Sequence, residues 1–423
     1  MSIAWGFYRV AAPALGALAP AASLFSPPEE RRLWPERLGR VHGAGACAAW
    51  IHAASLGESS GAAPLAEALL GARPGATLRL SATTLTGRAR LAEVAARLAP
   101  PAAVSLAPFD APQVVRRFFS AVEPGRLFVL ETELWPHWLL EARSRRVPVA
   151  VLSARLSGPS VAGYRRLGPA FRGLVAGLDA VSCQSDEDRA RWIALGARPE
   201  RADVLGNLKD DGLPAAPPDR AAVRAALGLD PEAPLLVLGS LRPGEVEPLA
   251  RAWQALPTAL RRRWRVIAVP RHLRAASELA AEAARAWQAV ARSGGPSEGA
   301  WGWVERAGVL NAYYAAADVA FVGGSLRPYG GHNPLEPAAS GAAVIMGPYY
   351  GSQLDAVRAL RERDGIWIAA SAQELVLALR GLLGDAALRA AHVAAGLELV
   401  ARRRGVAGRV VARLAELGLW GPV

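Results

Sequence analysis

The sequence predicts an α/β protein made of two doubly wound domains. From residue 45 onward, short apolar runs alternate with longer helical stretches and fall into two sets of five. Several runs are continuous rather than alternating, as parallel strands covered on both faces require. Between the sets, 207–220 is rich in proline, aspartate and alanine and lacks helical spacing, so it reads as a linker. The expected division is 1–40, a membrane-associating segment with a basic flank; 41–206, a first domain; 207–230, the linker region; and 231–423, a second domain with terminal helices.

Residues 3–25 form an apolar, alanine-rich run interrupted by Arg9, Pro13 and Pro20. At ~1.5 Å per residue such a run is long enough to reach across a bilayer. No basic residue precedes it, which argues against a signal peptide. Arg31, Arg32, Arg37 and Arg40 follow, and the positive-inside rule would hold that flank in the cytoplasm. Membrane association is therefore expected, by spanning or by lying flat, with a packed amphipathic helix as the alternative. Strands of the first domain are expected at 48–54, 77–82, 127–131, 148–153 and 180–184. Those of the second are expected at 235–239, 265–269, 319–323, 343–346 and 365–369, and 373–419 reads as helices only.

The most informative stretch is 323–337. An apolar strand enters it, a glycine-rich turn follows, and Asn333 and Pro334 suit an N-cap and a first helical position. Glu336 stands three residues past that cap, where it fits either closure of the cap or a ligand contact. A strand, a loop of small residues and a helix N-terminus together form an anion site at the carboxyl end of a sheet.

Composition narrows the partners. The chain has 423 residues, 52% of them hydrophobic, with 32 prolines and 42 glycines, which describes a globular protein rich in turns. Cys47 and Cys183 stand far apart and the six histidines form no HxxxH or HxH pair, so no disulfide framework or metal site is expected. The net charge of +12 calls for an anionic partner. Aromatic-plus-basic reading motifs are missing and the arginines are scattered, so nucleic acid is not expected; anionic lipid or a phosphorylated substrate fits. Of the 49 basic residues only Lys209 is a lysine, either by coding bias or because a compact ammonium is needed there.

Three further segments carry chemistry. His52-Ala53-Ala54-Ser55-Leu56-Gly57-Glu58 leaves a strand and ends on a carboxylate at a helix start. The helix dipole favours the charged form, so Glu58 is a weak base unless burial raises its pKa. Leu130-Glu131-Thr132-Glu133-Leu134-Trp135-Pro136 again sets carboxylates at a strand end, and Val269-Pro270-Arg271-His272 offers a guanidinium that could reach a phosphate.

Taken together, these segments resemble the 3-deoxy-D-manno-octulosonic acid (Kdo) transferases of lipopolysaccharide synthesis. The resemblance also takes in Ser81 to Gly87, Pro108-Phe109-Asp110, Ser153-Ala154-Arg155-Leu156-Ser157, Gly206-Asn207-Leu208-Lys209, Gly239-Ser240 and Pro243-Gly244-Glu245. It implies a GT-B-type fold and an inverting transferase, free of metal and cofactor, with CMP-Kdo as donor and a lipid A precursor as acceptor. It further implies attachment to anionic lipids of the inner membrane, on its cytoplasmic face. Glu58 matches the family's catalytic base. Ser240, Arg271, Gly330, Gly331, His332, Asn333 and Glu336 match donor contacts, and Lys209 matches a linker lysine. Glu131, Glu133, Arg155 and Lys209 are expected on the acceptor side or in the cleft.

Two departures stand against the family pattern. Leu241-Arg242 occupies the place of a usual Thr-His, and Val309 that of a usual glutamate. Arg242 can still serve an anion on the donor side, whereas Val309 cannot replace a carboxylate's hydrogen bonds. Other readings stay open at this point: a GT-B transferase or 2-epimerase for another nucleotide sugar, or a weakened paralogue that binds lipid or a partner enzyme.

Overall fold

Two seven-stranded parallel sheets organise the chain in the computed structural model, which describes residues 3–43, 45–286, 288–291 and 299–421. The first sheet contains β1 (Ala49–His52), β2 (Leu78–Ala82), β3 (Ala103–Leu106), β4 (Leu127–Leu130), β5 (Val149–Ala154), β6 (Ala180–Cys183) and β7 (Ala202–Val204), ordered β3-β2-β1-β4-β5-β6-β7. The second contains β8 (Leu235–Leu241), β9 (Arg265–Pro270), β10 (Ala289–Ala291), β11 (Ala300–Trp303), β12 (Val319–Val322), β13 (Ala343–Met346) and β14 (Ile366–Ile368), ordered β10-β11-β9-β8-β12-β13-β14. The first order reverses between β1 and β4 and the second between β8 and β12, with β10 placed outside β11 at the second sheet's edge, and open α/β sheets bind ligands at such central switch points.

Alternation along each strand feeds two cores. Trp50 points into a cluster with Phe118, Phe119 and Trp138, while its neighbour Ile51 points to the opposite face with Leu65, Leu69 and Leu130. In the second sheet Leu236 and Leu238 join one cluster and Leu235 and Val237 another. Burial on both faces is why these runs read as continuously apolar.

All ten expected strands form, within a residue or two of their expected ends. The sequence reading passed over β3, β7, β10 and β11. These are three or four residues long and lie at or next to sheet edges, where an apolar run is shortest.

The division of the chain differs from the expected one. The first unit runs to Gly212 and takes the chain back from Gly405 onward, and the second is Leu213–Arg404. The stretch 208–212, read as linker, is a 3₁₀ turn against the helix Leu56–Ala72, where Leu208 Cβ lies 3.2 Å from the site of a Gly61 side chain. Residues 220–226, also read as linker, form a helix of the second unit that Asp219 caps. The final helix, Val406–Glu416, assigned by sequence to the second domain, belongs to the first. Asp211 accepts its first amides from Val406 and Ala407, and Trp420 beyond it is 1% exposed, donating Nε1–H to the Leu69 carbonyl at 3.0 Å. Arg73 and Arg126 stack over the Trp420 ring.

At the N-terminus, helix Ile3–Ala22 carries Pro13 and Pro20 inside it and packs one stripe, Trp5, Ala12, Gly16 and Ala19, inward. Tyr8 hydrogen-bonds Asp110 and stacks on His137. The opposite face leaves Phe7, Val10, Leu15 and Leu18 exposed, and Leu24 and Phe25 follow them. No helix among the described residues is long and apolar enough to cross a membrane. Of the basic flank, Arg37 pairs with Glu30 and Arg31 bonds the Leu24 carbonyl, leaving Arg32 and Arg40 exposed.

Trp420→Ala should lower the stability of the first unit by about 3–5 kcal/mol, the cost of a large aromatic removed from a core. Urea unfolding followed by intrinsic fluorescence measures it. A loss below ~1 kcal/mol would mean that the returning C-terminal helix contributes little to that core.

Candidate active site

In the first unit, the site residues follow the two strands that flank the switch point. After β1, Ser55 caps the helix Leu56–Ala72 and accepts from Glu58 N–H, while the Glu58 carboxylate reaches back to take Ala54 N–H at 2.7 Å. Such a cap is ordinary: Ser371, Glu374 and Ala370 repeat it at an exposed helix start. What sets Glu58 apart is its burial and its company. Burial, with the Glu131 charge next and Glu133 adding to it, pushes Glu58 up to about 7, against the opposing Ala54 hydrogen bond and Lys209 charge. The condition that the sequence attached to Glu58 as a base is therefore met.

After β4 come Glu131 and Glu133, each held differently. Glu133 accepts from His52 Nε2 at 3.1 Å, Trp135 Nε1 at 2.8 Å and Thr83 Oγ1 at 3.0 Å. Burial pushes its pKa up, but these bonds outweigh it and hold Glu133 below the usual carboxylate range. Behind it a donor relay runs from Trp50 Nε1 to Ser81 Oγ at 2.7 Å, then to Nδ1 of the fully buried His52 at 2.9 Å. Glu131 forms an ion pair with Lys209. Lys209 thus belongs to the first unit rather than to a linker, and Asn207 Oδ1 accepts its backbone N–H while taking the Ser153 hydroxyl. Arg155, beyond β5, is exposed, and its side chain has no carboxylate partner among the described residues.

Strain marks the same strand ends. Glu131 and Ser153 have φ of 61° and 53°, and Ser240 at the end of β8 has 55°, a region costly for residues with a Cβ.

In the second unit one carboxylate organises the switch point. Glu245 is fully buried and accepts four backbone N–H groups. Oε2 takes Arg242 at 2.9 Å and Gly324 at 2.8 Å, and Oε1 takes Ser325 at 2.8 Å and Leu326 at 2.9 Å. Burial pushes its pKa up while the four donors favour its charged form. The first amides of the glycine-rich turn therefore hold an internal anion, which corrects the expectation of an open nest there. In the sequence Glu245 stands out only as part of Pro243-Gly244-Glu245, and its place four residues beyond the end of β8 is the available signal.

Farther along the loop, Gly330 and Gly331 take φ of 90° and 76°, and a Cβ at Gly331 would stand 2.9 Å from Met346 Cε. The following helix begins at Leu335, one residue later than expected, with Pro334 at its cap position. Asn333 Oδ1 accepts Leu335 N–H at 3.0 Å, and its side chain hydrogen-bonds Glu336, so Glu336 bonds Asn333 sideways. Burial pushes Glu336 up, against that bond and the Arg271 charge. Burial and then the charges of Arg271, Arg242 and His272 push His332 down to about 4, which keeps it neutral at pH 7. Arg271 is exposed at the end of β9, and Ser240 is buried at the end of β8. Each unit thus gathers most of its expected residues at its own switch point, with Arg155 after β5 and Arg271 after β9 at the neighbouring strand ends. Among the described residues no group of three His, Cys, Asp or Glu side chains is placed to hold a metal ion.

The fold is that of GT-B-type proteins. UDP-GlcNAc 2-epimerase from Neisseria meningitidis superposes with a TM-score of 0.62 at 12% identity, covering 87% of this chain and 99% of that one. Sequence then gives the family. Residues 32–212 match the model described as 3-deoxy-D-manno-octulosonic-acid transferase. The chain is 37% identical over 338 residues to the 3-deoxy-D-manno-octulosonic acid transferase of Bordetella pertussis, covering 77% of each. Against that of Chlamydophila psittaci it is 30% identical over 363 residues, covering 82% of this chain and 80% of the other. This chain belongs to the Kdo transferase family, and it is a glycosyltransferase.

Glu245→Gln sets an amide NH₂ against two backbone donors. It should destabilise the second unit by about 2–5 kcal/mol, as two buried N–H groups lose their acceptor. Differential scanning calorimetry tests this, and an unchanged transition would show that the turn holds without the carboxylate.

Proposed function

We propose that this Kdo transferase takes Kdo from CMP-Kdo and places it on a hydroxyl of a lipid A precursor, inverting the anomeric carbon, with Glu58 as general base. One observation carries the assignment: among the carboxylates at the first switch point, Glu58 is pushed up to about 7. Glu133 is held ionised by three donors and Glu131 is taken by Lys209. Environments that push neighbouring carboxylates apart define which one moves a proton.

In this mechanism the Glu58 carboxylate takes the proton of the attacking hydroxyl, and the hydroxyl oxygen bonds to the anomeric carbon. The bond from that carbon to the phosphate oxygen breaks, and its electron pair leaves with CMP as a phosphate monoester. Arg271 receives the growing negative charge, and neutral His332 offers a hydrogen bond without adding charge. Ser240, Gly330, Gly331, Asn333 and Glu336 shape the donor side around them. On the acceptor side, exposed Leu56 and Trp135 beside Glu58 and Glu133 offer apolar contact, and the unpaired Arg155 offers a cation to an acceptor phosphate.

The same reading puts the enzyme on the cytoplasmic face of the inner membrane, with the helix Ile3–Ala22 lying in the interface. Support comes from its outward row of Phe7, Val10, Leu15 and Leu18, continued by Leu24 and Phe25, with Arg32 and Arg40 available to anionic headgroups.

Incubation of the purified protein with CMP-Kdo and a lipid IVA-type acceptor, read by mass, tests the reaction. Glu58→Gln should lower kcat by ~10²-fold or more with little change in CMP affinity. In the wild type, kcat/KM should rise tenfold per pH unit and level off near the Glu58 pKa of about 7, because the base works deprotonated. A folded-state pKa raised from 4.5 to about 7 means that Glu58 favours folding less as pH climbs through this window. Glu58→Gln should therefore gain stability relative to wild type at pH 8 but not at pH 4. Near-normal turnover of the variant would move the base to another carboxylate.

Changing Phe7, Val10, Leu15 and Leu18 together to serine should shift the protein toward the soluble fraction and leave CMP binding intact. Surface substitution suits this test better than deletion, since Trp5 is part of the first core. Unchanged sedimentation with membranes would place the attachment elsewhere.

A further inference from the structure

Arg242 lies at one of the two places where this chain departs from the family pattern, and its surroundings are organised. Its backbone N–H is fixed on Glu245 Oε2 at 2.9 Å. The guanidinium carbon stands 4.3 Å from the Tyr329 ring centroid, a stacking distance that restricts the side chain. Nη1 lies 2.8 Å from His272 Nε2. Desolvation and the charges of Arg242, Arg274 and Arg271 hold the His272 imidazole below its usual range, so Nε2 is free to accept that bond. The Nε of Arg242 is buried and has no partner.

The consequence is a matter of guanidinium shape. With Nη1 committed to His272, the edge formed by Nε–H and Nη2–H remains, two parallel donors at the spacing of a carboxylate's oxygens. No carboxylate of the described residues pairs with Arg242 or with Arg271. Arg242 nevertheless bonds the side chain of His272, the residue next to Arg271, which sets the two cations in one neighbourhood. Two uncompensated cations side by side call for a ligand with two negative groups.

Resting on the donor reading above, we infer that Arg242 is a specificity-determining residue that reads the carboxylate of the donor's 2-keto acid sugar, while Arg271 serves the phosphate. CMP-Kdo carries one of each. Arg271 is exposed and unstacked, which suits a point charge for a phosphate. Arg242 is held in one orientation by Tyr329 and His272, with the Nε–H and Nη2–H pair unpartnered among the described residues, which suits a planar carboxylate. A neutral hexose joined to a nucleotide would leave that edge unpaired and be rejected accordingly.

Calorimetric titration of wild type, Arg242→Gln and Arg242→Lys with CMP and with CMP-Kdo tests the assignment. Arg242→Gln should weaken CMP-Kdo binding by about tenfold or more and leave CMP within about twofold, as a charged pair lost from the sugar alone would do. Arg242→Lys should recover little, because an ammonium lacks the edge. Unchanged CMP binding also reports that the variants remain folded. Equal weakening of both ligands would assign Arg242 to the nucleotide and overturn the inference, as would no change in either. Failure of the wild type to bind CMP-Kdo would instead overturn the donor reading itself, and this inference with it.

Discussion

The second unit depends on one buried carboxylate. Glu245 joins the turn after β8 to the turn after β12 through four backbone N–H groups, across the point where the strand order reverses. At a switch point the two central strands send their chains to opposite faces, so the loops diverge and their amides lose ladder partners. An internal anion satisfies them without a ligand. It also fixes the backbone of Arg242 and the start of the loop that leads to Gly330, Gly331 and His332, so these residues are organised without a ligand. Ser325 extends the clasp, its hydroxyl bonding the Val322 carbonyl and taking Gly347 N–H from beyond β13.

The first unit solves the matching problem with a division of labour among carboxylates. Three acidic side chains near one strand end would repel one another if all were ionised. His52, Thr83 and Trp135 anchor one, Lys209 neutralises the second, and the third is left to titrate. Lys209 reaches Glu131 because Asn207 and Ser153 fix its backbone turn. The strained φ values at Glu131 and Ser153 cost on the order of 1–3 kcal/mol each and fall at the residues that build this arrangement. Surrounding strands, buried on both faces, hold that strain in place.

Reading strands from the chain worked where the strands are central. Leu127–Leu130 or Val319–Val322 can only be buried on both faces, and their composition says so. Ala202–Val204 carries an aspartate and pairs on one side only, so nothing in its three residues distinguishes it from a loop. The helix Val406–Glu416 was legible as a helix, but its allegiance was not. An apolar stripe states that it must be covered and is silent about which core covers it.

The sequence by itself determined the two doubly wound sheets, the family, and the strand ends where the chemistry-bearing residues stand, because these follow from local periodicity and motif order. Tertiary structure decided the states of those residues. A capping Glu58 and a capping Glu374 look alike in sequence, and burial together with the approach of Glu131 and Glu133 separates them. The glycine-rich turn reads as an open anion site until Glu245, some 80 residues earlier, is found filling its first amides. Lys209 reads as linker until Glu131 is beside it. Charge, protonation and vacancy are properties of neighbours brought from distant parts of the chain, and the field they create falls off over a few ångströms that no spacing in the sequence records.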